Sequence, residues 1–218
     1  MAEPNRAIVF YSGGLMSWAA AKRTVEKYGA KNVTLLFTDT LIEDPDLYRF
    51  LDESTAELGA QLVALADGRT PWEVFRDKKF IGNTLREAPL CERPWMSQRD
   101  IHAWARDCGL TIPRLYRLGF AHNNCGGFCI KAGEGHFLRL LKTLPQVYAY
   151  HEDQEAAFNA ARPGKPRQTV LAPERWIDGK RRRVPMSLRE FRERAGTDPQ
   201  IDMFDVGGCG CFVDEVSP

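Results

Sequence analysis

The sequence has almost no excess charge: 30 lysines and arginines stand against 29 aspartates and glutamates, a net charge of +1 over 218 residues. That balance excludes a bulk electrostatic footprint for nucleic acid or an anionic membrane, so any such contact must be local. Long apolar runs are missing as well. No stretch approaches the ~20 residues of a membrane-spanning helix, and Met1-Ala2-Glu3-Pro4-Asn5-Arg6 lacks the apolar segment of a signal peptide. The expectation is a cytoplasmic protein with no membrane partner. There is no internal repeat and no low-complexity segment. The two commonest phosphate-loop signatures are also absent. The Walker pattern ends in Gly-Lys-Ser/Thr and the dinucleotide fingerprint needs three spaced glycines, and neither can be read here.

What is present is a different glycine loop. Val9-Phe10-Tyr11-Ser12-Gly13-Gly14-Leu15-Met16-Ser17-Trp18 reads as an apolar strand running into a glycine-rich turn and then a helix. Arg6 to Tyr11 carries the β-branched and aromatic residues of a buried strand. Ala19 to Tyr28 is rich in alanine and long side chains and stops at Gly29, a left-handed C-cap by type. Between them, Ser12, Gly13, Gly14 and Ser17 aim backbone N–H groups, two hydroxyls and the positive end of a helix dipole at one point. That arrangement suits a phosphate. A strand-turn-helix with no ligand is the plainer alternative, since Gly-Gly is common loop punctuation.

Further along, Val33 to Phe37 is a second short apolar run ending in Thr38-Asp39-Thr40. Asp44-Pro45 caps a helix whose Leu47, Phe50, Leu51 and Leu58 form a buried face up to Gly59. Gln61 to Ala66 is a third strand followed by Asp67-Gly68-Arg69, and Thr70-Pro71-Trp72-Glu73 is a capping box opening a helix through Lys79. Alternating strands and helices predict an α/β fold: an open parallel sheet with right-handed crossovers and helices on both faces. Ligands of such sheets sit beyond the carboxyl ends of the strands, so the Ser12 loop, Thr38-Asp39-Thr40 and Asp67-Gly68-Arg69 are expected along one rim. Asp39 and Asp67 are either sugar or metal contacts or ordinary loop aspartates.

Periodicity is lost from Phe80 to Pro94, around Cys91. It resumes where Ser97 and Asp100 cap a helix with Ile101, Trp104 and Ala105, ending at Cys108-Gly109. Cys108, beside Trp104, reads as a small buried hydrophobe rather than a ligand. Pro113 to Phe120 is a strand candidate leading to His122-Asn123-Asn124-Cys125-Gly126-Gly127-Phe128-Cys129-Ile130-Lys131. Helices are expected over 136–144 and 146–161. Thr169-Val170-Leu171 and Trp176 to Lys180 suggest a hairpin turning at Asp178-Gly179. Lys180 to Arg183 is either a nucleic-acid contact or a solvated hairpin arm. Ser187 to Glu190 is another capping box, and its helix stops at Ala195-Gly196. One domain over 1–218 is expected, with 1–80 as the nucleotide-binding part and 81–218 as a cysteine-bearing and hairpin extension.

Cytosolic chains keep their thiols reduced, so the six cysteines are better read as metal ligands or redox groups than as disulfides. Cys91, Cys125, Cys129, Cys209 and Cys211 all lie in glycine- or proline-rich irregular sequence. Four thiolates complete either a tetrahedral zinc site or a [4Fe–4S] cluster, and neighbouring glycines leave N–H groups free for the sulfurs. The spacings Cys125-x-x-x-Cys129 and Cys209-x-Cys211 differ from those of zinc ribbons, which favours the cluster over zinc.

Ser12-Gly13-Gly14-Leu15-Met16-Ser17 resembles the Ser-Gly-Gly-x-Asp-Ser pyrophosphate loop of the ATP pyrophosphatase and phosphoadenosine phosphosulfate (PAPS) reductase superfamily, with Met16 at the aspartate's place. Leu36-Phe37-Thr38-Asp39-Thr40 and the following Leu47-Tyr48-Arg49-Phe50-Leu51 are similar to the Asp-Thr-Gly segment and aromatic helix of PAPS reductases. The two stretches together cover about the first third of the chain. Asn124-Cys125-Gly126-Gly127-Phe128-Cys129 and Gly207-Gly208-Cys209-Gly210-Cys211 resemble PAPS-reductase-like proteins of phage and bacterial genomes.

The resemblance implies an adenine nucleotide alpha hydrolase-like fold and an enzyme that binds ATP or a PAPS-like nucleotide, with magnesium where ATP is cleaved. Ser12, Gly13, Gly14, Ser17, Thr38, Asp39, Thr40, Asp67 and Arg69 would bind the nucleotide. It implies sulfur chemistry beside a cysteine-ligated cluster, either sulfur insertion on an activated substrate or reduction of a sulfonucleotide. Partners would be a nucleic-acid or small-molecule sulfur acceptor, an electron donor, and a second copy in a homo-oligomer. Cys211 would be a ligand or the catalytic thiol. Lys131 would reach phosphates or sit on the surface at a helix start, and His122 would act as an acid–base group or be held by backbone. The rival readings are a nucleotide-binding regulator that lost catalysis with Met16, and a zinc-stabilised nucleic-acid-binding module.

Overall fold

The computed structural model describes residues 6–81 and 97–201, together with 203 and 205. In chain order its elements are β1 (Ala7–Phe10), α1 (Leu15–Tyr28), β2 (Val33–Asp39), α2 (Pro45–Leu58), β3 (Gln61–Ala66) and α3 (Pro71–Lys78). Then come α4 (Gln98–Asp107), α5 (Arg114–Arg117), α6 (Glu134–Thr143), α7 (Pro145–Ala160), β4 (Glu174–Ile177), β5 (Lys180–Arg183) and α8 (Leu188–Arg194). They fall into two compact units. The first holds described residues 6–69 and 97–127, the second residues 70–81, 128–201, 203 and 205.

The first unit is α/β. Its sheet is parallel, with β2 between β1 and β3. Val9, Leu35 and Leu62 form one cross-strand row, and Phe10, Leu36 and Val63 the next. Because side chains alternate across a strand, Val33, Leu35 and Phe37 share one face. There they join Trp18 of α1, Leu47, Phe50 and Leu51 of α2, and Ile101 and Ala105 of α4 in a single core. Trp18 and Trp104 meet edge to face at 5.0 Å, fixing α1 against α4. The other sheet face leaves Ile8 68% and Phe10 79% exposed. Helices on both faces are therefore not seen among the described residues of this unit.

Local signals set the helix ends. Asp44 accepts from the Asp46 amide with Pro45 behind it, and Thr70 and Glu73 form the reciprocal capping box. Gly29 has φ +80° but ψ 141°, so it ends α1 in a glycine conformation other than the expected left-handed helical one.

Two expected elements differ. Pro113 to Phe120 is not a strand: Pro113 sits at the N-cap of the short helix α5, and Gly119, at φ +84°, turns the chain just after it. An apolar run this short carries no periodicity that separates strand from helix. The hairpin does turn at Asp178-Gly179, both at positive φ, but its arms are β4 and β5. A two-residue turn pairs the flanking residues directly, so Ile177 meets Lys180 and Trp176 meets Arg181. Leu171 instead bridges Met186 outside the hairpin.

The second unit is mainly helical, with α7 packed against α3, α6 and α8. Trp72, Phe137, Tyr148, Phe158 and Phe191 are fully buried. Two buried carboxylates inside it are paired. Glu155 accepts from the Val170 and Leu188 amides, and Glu152 from Arg189 and Arg192.

Candidate nucleotide site

β1 delivers the chain to Tyr11, whose amide still bonds Leu36 O at 2.8 Å. Helix α1 begins immediately after Gly14, so Ser12 to Ser17 is a single tight turn into a helix N-terminus. Within it the Ser12 amide and hydroxyl each lie 3.2 Å from Ser17 Oγ, and Ser17 Oγ donates to Gly14 O at 2.8 Å. The Leu15 amide donates to the Tyr116 hydroxyl at 3.1 Å. Among the described residues the Met16 and Ser17 amides take no such partner. Two such N–H groups at the positive end of a 14-residue helix have the chemistry to receive an anion.

Gly13 and Gly14 serve different ends. Gly13 has φ +74°, and a Cβ there would lie 2.8 Å from Leu47 Cγ, inside the core. Gly13→Ala should therefore cost about 2 kcal/mol, from the left-handed backbone and the displaced Leu47. Urea unfolding measures it, and an unchanged midpoint would contradict the packing described. Gly14 has an ordinary φ of −101°, but a Cβ there would approach the Tyr116 hydroxyl at 3.2 Å and Asn124 Oδ1 at 3.3 Å.

Those contacts introduce residues that did not stand out in the sequence. Asn123, fully buried, donates from Nδ2 to Gly13 O at 3.0 Å, while its buried Oδ1 has no hydrogen-bond partner among the described residues. Asn124 abuts Gly14, and its amide donates to His122 Nδ1 at 3.3 Å. Cys125 follows, half-buried at φ +57°. The next residue, Gly126, lies so close to the loop after β2 that a Cβ would sit 2.1 Å from Ile42 O. Glu43 joins the same two segments, accepting from Thr40 Oγ1 at 2.7 Å and from the Gly126 amide at 3.3 Å. Burial pushes its carboxyl above the usual range. The segment Asn123–Gly126 is thus clamped onto both the Ser12 loop and the end of β2. The only sequence sign of this was Asn-Asn directly before Cys-Gly-Gly.

The parallel register places the ends of all three strands at one edge. Asp39 at that edge accepts from the Tyr48 hydroxyl at 2.9 Å and the Leu41 amide at 2.8 Å, so it shapes the turn after β2. Burial and Asp39 push the Tyr48 phenol up to about 12. Thr38 is exposed, and Asp67 and Arg69 form an ion pair exposed to solvent. Met16 is partly buried against the core. His122 is buried at the segment start. Tyr116 also lines a cleft of about 350 Å³ with His102, Arg106 and Arg117.

Of the expected metal ligands, Cys91, Cys209 and Cys211 lie outside the described residues. Cys125 belongs to the first unit, whereas Cys129, buried, and Lys131 belong to the second. Among the described residues no group of three His, Cys, Asp or Glu is placed to hold a metal. Cys108 ends α4 packed against the core beside Trp104, and burial raises its thiol, as suits a small hydrophobe.

Compared with known proteins, the chain matches no family model and no curated sequence. What can be said of its function rests on its own residues and their geometry.

Proposed function

We propose that the protein binds an adenine nucleotide at the Ser12–Ser17 loop, in an adenine nucleotide alpha hydrolase-like fold, and carries out sulfur chemistry beside a cysteine-ligated iron–sulfur cluster. The observation that supports it is the clamping of Asn123–Gly126 onto the glycine loop, which draws Cys125 toward the phosphate cradle. Asn123 Oδ1 and the amides of Met16 and Ser17, without partners among the described residues, are what a bound ligand would complete. Glycine amides and the Ser12 and Ser17 hydroxyls would hold the anionic leaving group, and Tyr116 would fix the helix end that faces it. A cluster held by four of Cys91, Cys125, Cys129, Cys209 and Cys211 would supply electrons or a sulfur site. The substrate would be an activated acceptor taking sulfur or a sulfonucleotide being reduced by an external electron donor.

Calorimetric titration with ATP and with PAPS tests the nucleotide reading. Gly14→Val should weaken binding at least tenfold, because its methyl groups displace Tyr116 and Asn124 while the ordinary φ spares the fold. Equal affinity in the variant would remove the loop from the site. Iron and zinc analysis of anaerobically purified protein, with an absorption spectrum, tests the cluster. Protein free of both metals would overturn that part alone.

A second reading, a nucleotide-binding regulator without turnover, is favoured by Met16, whose side chain packs into the core where a carboxylate for magnesium would stand. Binding of ATP without release of pyrophosphate or AMP would support it.

A further inference from the structure

The β4–β5 hairpin of the second unit is unlike the rest of this charge-balanced chain. Residues 174–183 carry Arg175, Lys180, Arg181, Arg182 and Arg183 against Glu174 and Asp178. All four residues of β5 are exposed, and among the described residues Lys180, Arg182 and Arg183 have no carboxylate partner. Arg181 reaches Glu174 only at 3.4 Å, with both side chains more than half exposed. Such a pair contributes little and yields readily to a stronger anion.

Pairing sorts these side chains. Glu174 stands opposite Arg183 and Trp176 opposite Arg181, so the four share one face. Trp176 is 61% exposed, an aromatic plate open to solvent, and the Arg181 guanidinium lies 5.7 Å from its ring centroid. Beside them runs a cleft of about 560 Å³ lined by Trp176, Arg181, Arg183, Gln200 and Asp205 among others. The platform is held in place. The tight Asp178-Gly179 turn sets the register, and Arg175, on the opposite face, is anchored to buried Glu134.

We propose that this face binds a single-stranded nucleic acid, with a base stacked on Trp176 and the flanking phosphates held by Arg181 and Arg183. The chemistry selects this partner. An exposed indole beside arginines offers stacking that any base can use, while the cations follow the backbone. An anionic membrane would want an apolar set around the tryptophan rather than Glu174, Gln200 and Asp205. Duplex bases are already stacked and cannot reach the ring. This inference goes beyond the nucleotide reading and does not depend on it.

The test is fluorescence anisotropy of the full-length protein with labelled twelve-residue RNA and DNA oligonucleotides, single-stranded and duplex, over a range of salt. Single strands should bind with an affinity that falls steeply with salt. Trp176→Ala should weaken this about tenfold or more while Trp176→Phe retains most of it. Arg181→Gln with Arg183→Gln should lower the slope of log affinity against log salt by about 1.4. Comparison of RNA with DNA then identifies the source of the strand. Unchanged melting temperatures would show that the variants stay folded, as expected for exposed positions. No binding, equal binding of duplex, or Trp176→Ala binding like wild type would overturn the proposal. So would binding to phosphatidylserine vesicles in place of oligonucleotides.

Discussion

Arg175→Ala is expected to lower the free energy of unfolding by about 3–5 kcal/mol, because it leaves a carboxylate buried without its partner. Glu134 and Arg175 are 3% and 7% exposed, and the guanidinium grips both carboxylate oxygens, Nη1 to Oε2 at 2.8 Å and Nη2 to Oε1. This contact holds the guanidinium still more firmly charged than usual. Asp198 stands farther from the guanidinium, 3.9 Å from Nε. The pair itself is less valuable than its breakage is costly. Arg175→Met combined with Glu134→Leu should therefore recover most of the lost stability, since an apolar pair of similar volume avoids desolvating two charges. Urea denaturation at neutral pH gives both values. A single variant within about 1 kcal/mol of wild type would mean that the carboxylate reaches water, contrary to the burial described.

The second large effect is a loss of stability in acid through His151. Its ring stacks on Phe128 with centroids 3.7 Å apart and planes 8° from parallel, and its Nδ1 accepts from Trp72 Nε1 at 2.8 Å. Burial pushes the imidazole down from 6.5 to about 3. In the unfolded chain the ring gains a proton below pH 6.5, whereas in the fold it stays neutral until about pH 3. Between those values the unfolded state binds more protons, so stability is fully present above pH 6.5 and declines as the pH falls, by about 1.4 kcal/mol per unit. Carboxylates lowered by arginines, Glu152 among them, also lose stability in acid, so the histidine must be isolated. His151→Gln keeps an acceptor for Trp72 but does not titrate. Its stability relative to wild type should rise steadily from pH 6 to pH 4. Parallel curves for the two proteins would show that His151 is not held neutral by the fold.

Much of the fold was legible because the signals were local. Asp44-Pro45, Thr70 with Glu73, Ser97 with Asp100, and Ser187 with Glu190 each fixed a helix start within four residues, through hydrogen bonds that need no distant partner. The strand-glycine-helix order around Ser12 was readable for the same reason, as was the Asp178-Gly179 turn. Pro113 to Phe120 was not, since eight residues of mixed apolar character satisfy either period and Pro113 and Gly119 settle the matter through backbone geometry. The candidate site shows the same division. Ser12, Gly13, Gly14 and Ser17 were legible from spacing, whereas Tyr116, Glu43 and Asn123 act across 83 to 110 positions of chain, where no local pattern connects them.

The sequence by itself determined most of the elements and their order, strands alternating with helices in the first part around a glycine turn, capped helices after it, and a basic hairpin near the end. These follow from side-chain period, caps and glycine, all of which act over a few residues. Only the tertiary structure decided that residues 70–81 belong with 128–201 rather than with the parallel sheet, and that Cys125 and Cys129 fall in different units. It alone laid Asn123 against Gly13 and joined Asp39 to the Tyr48 hydroxyl. Which polar groups meet depends on how the sheet, α1 and the Asn123 segment close around one core. That closure is set by the burial of Trp18, Leu35, Leu47 and Phe50 together, which no single stretch of the sequence contains.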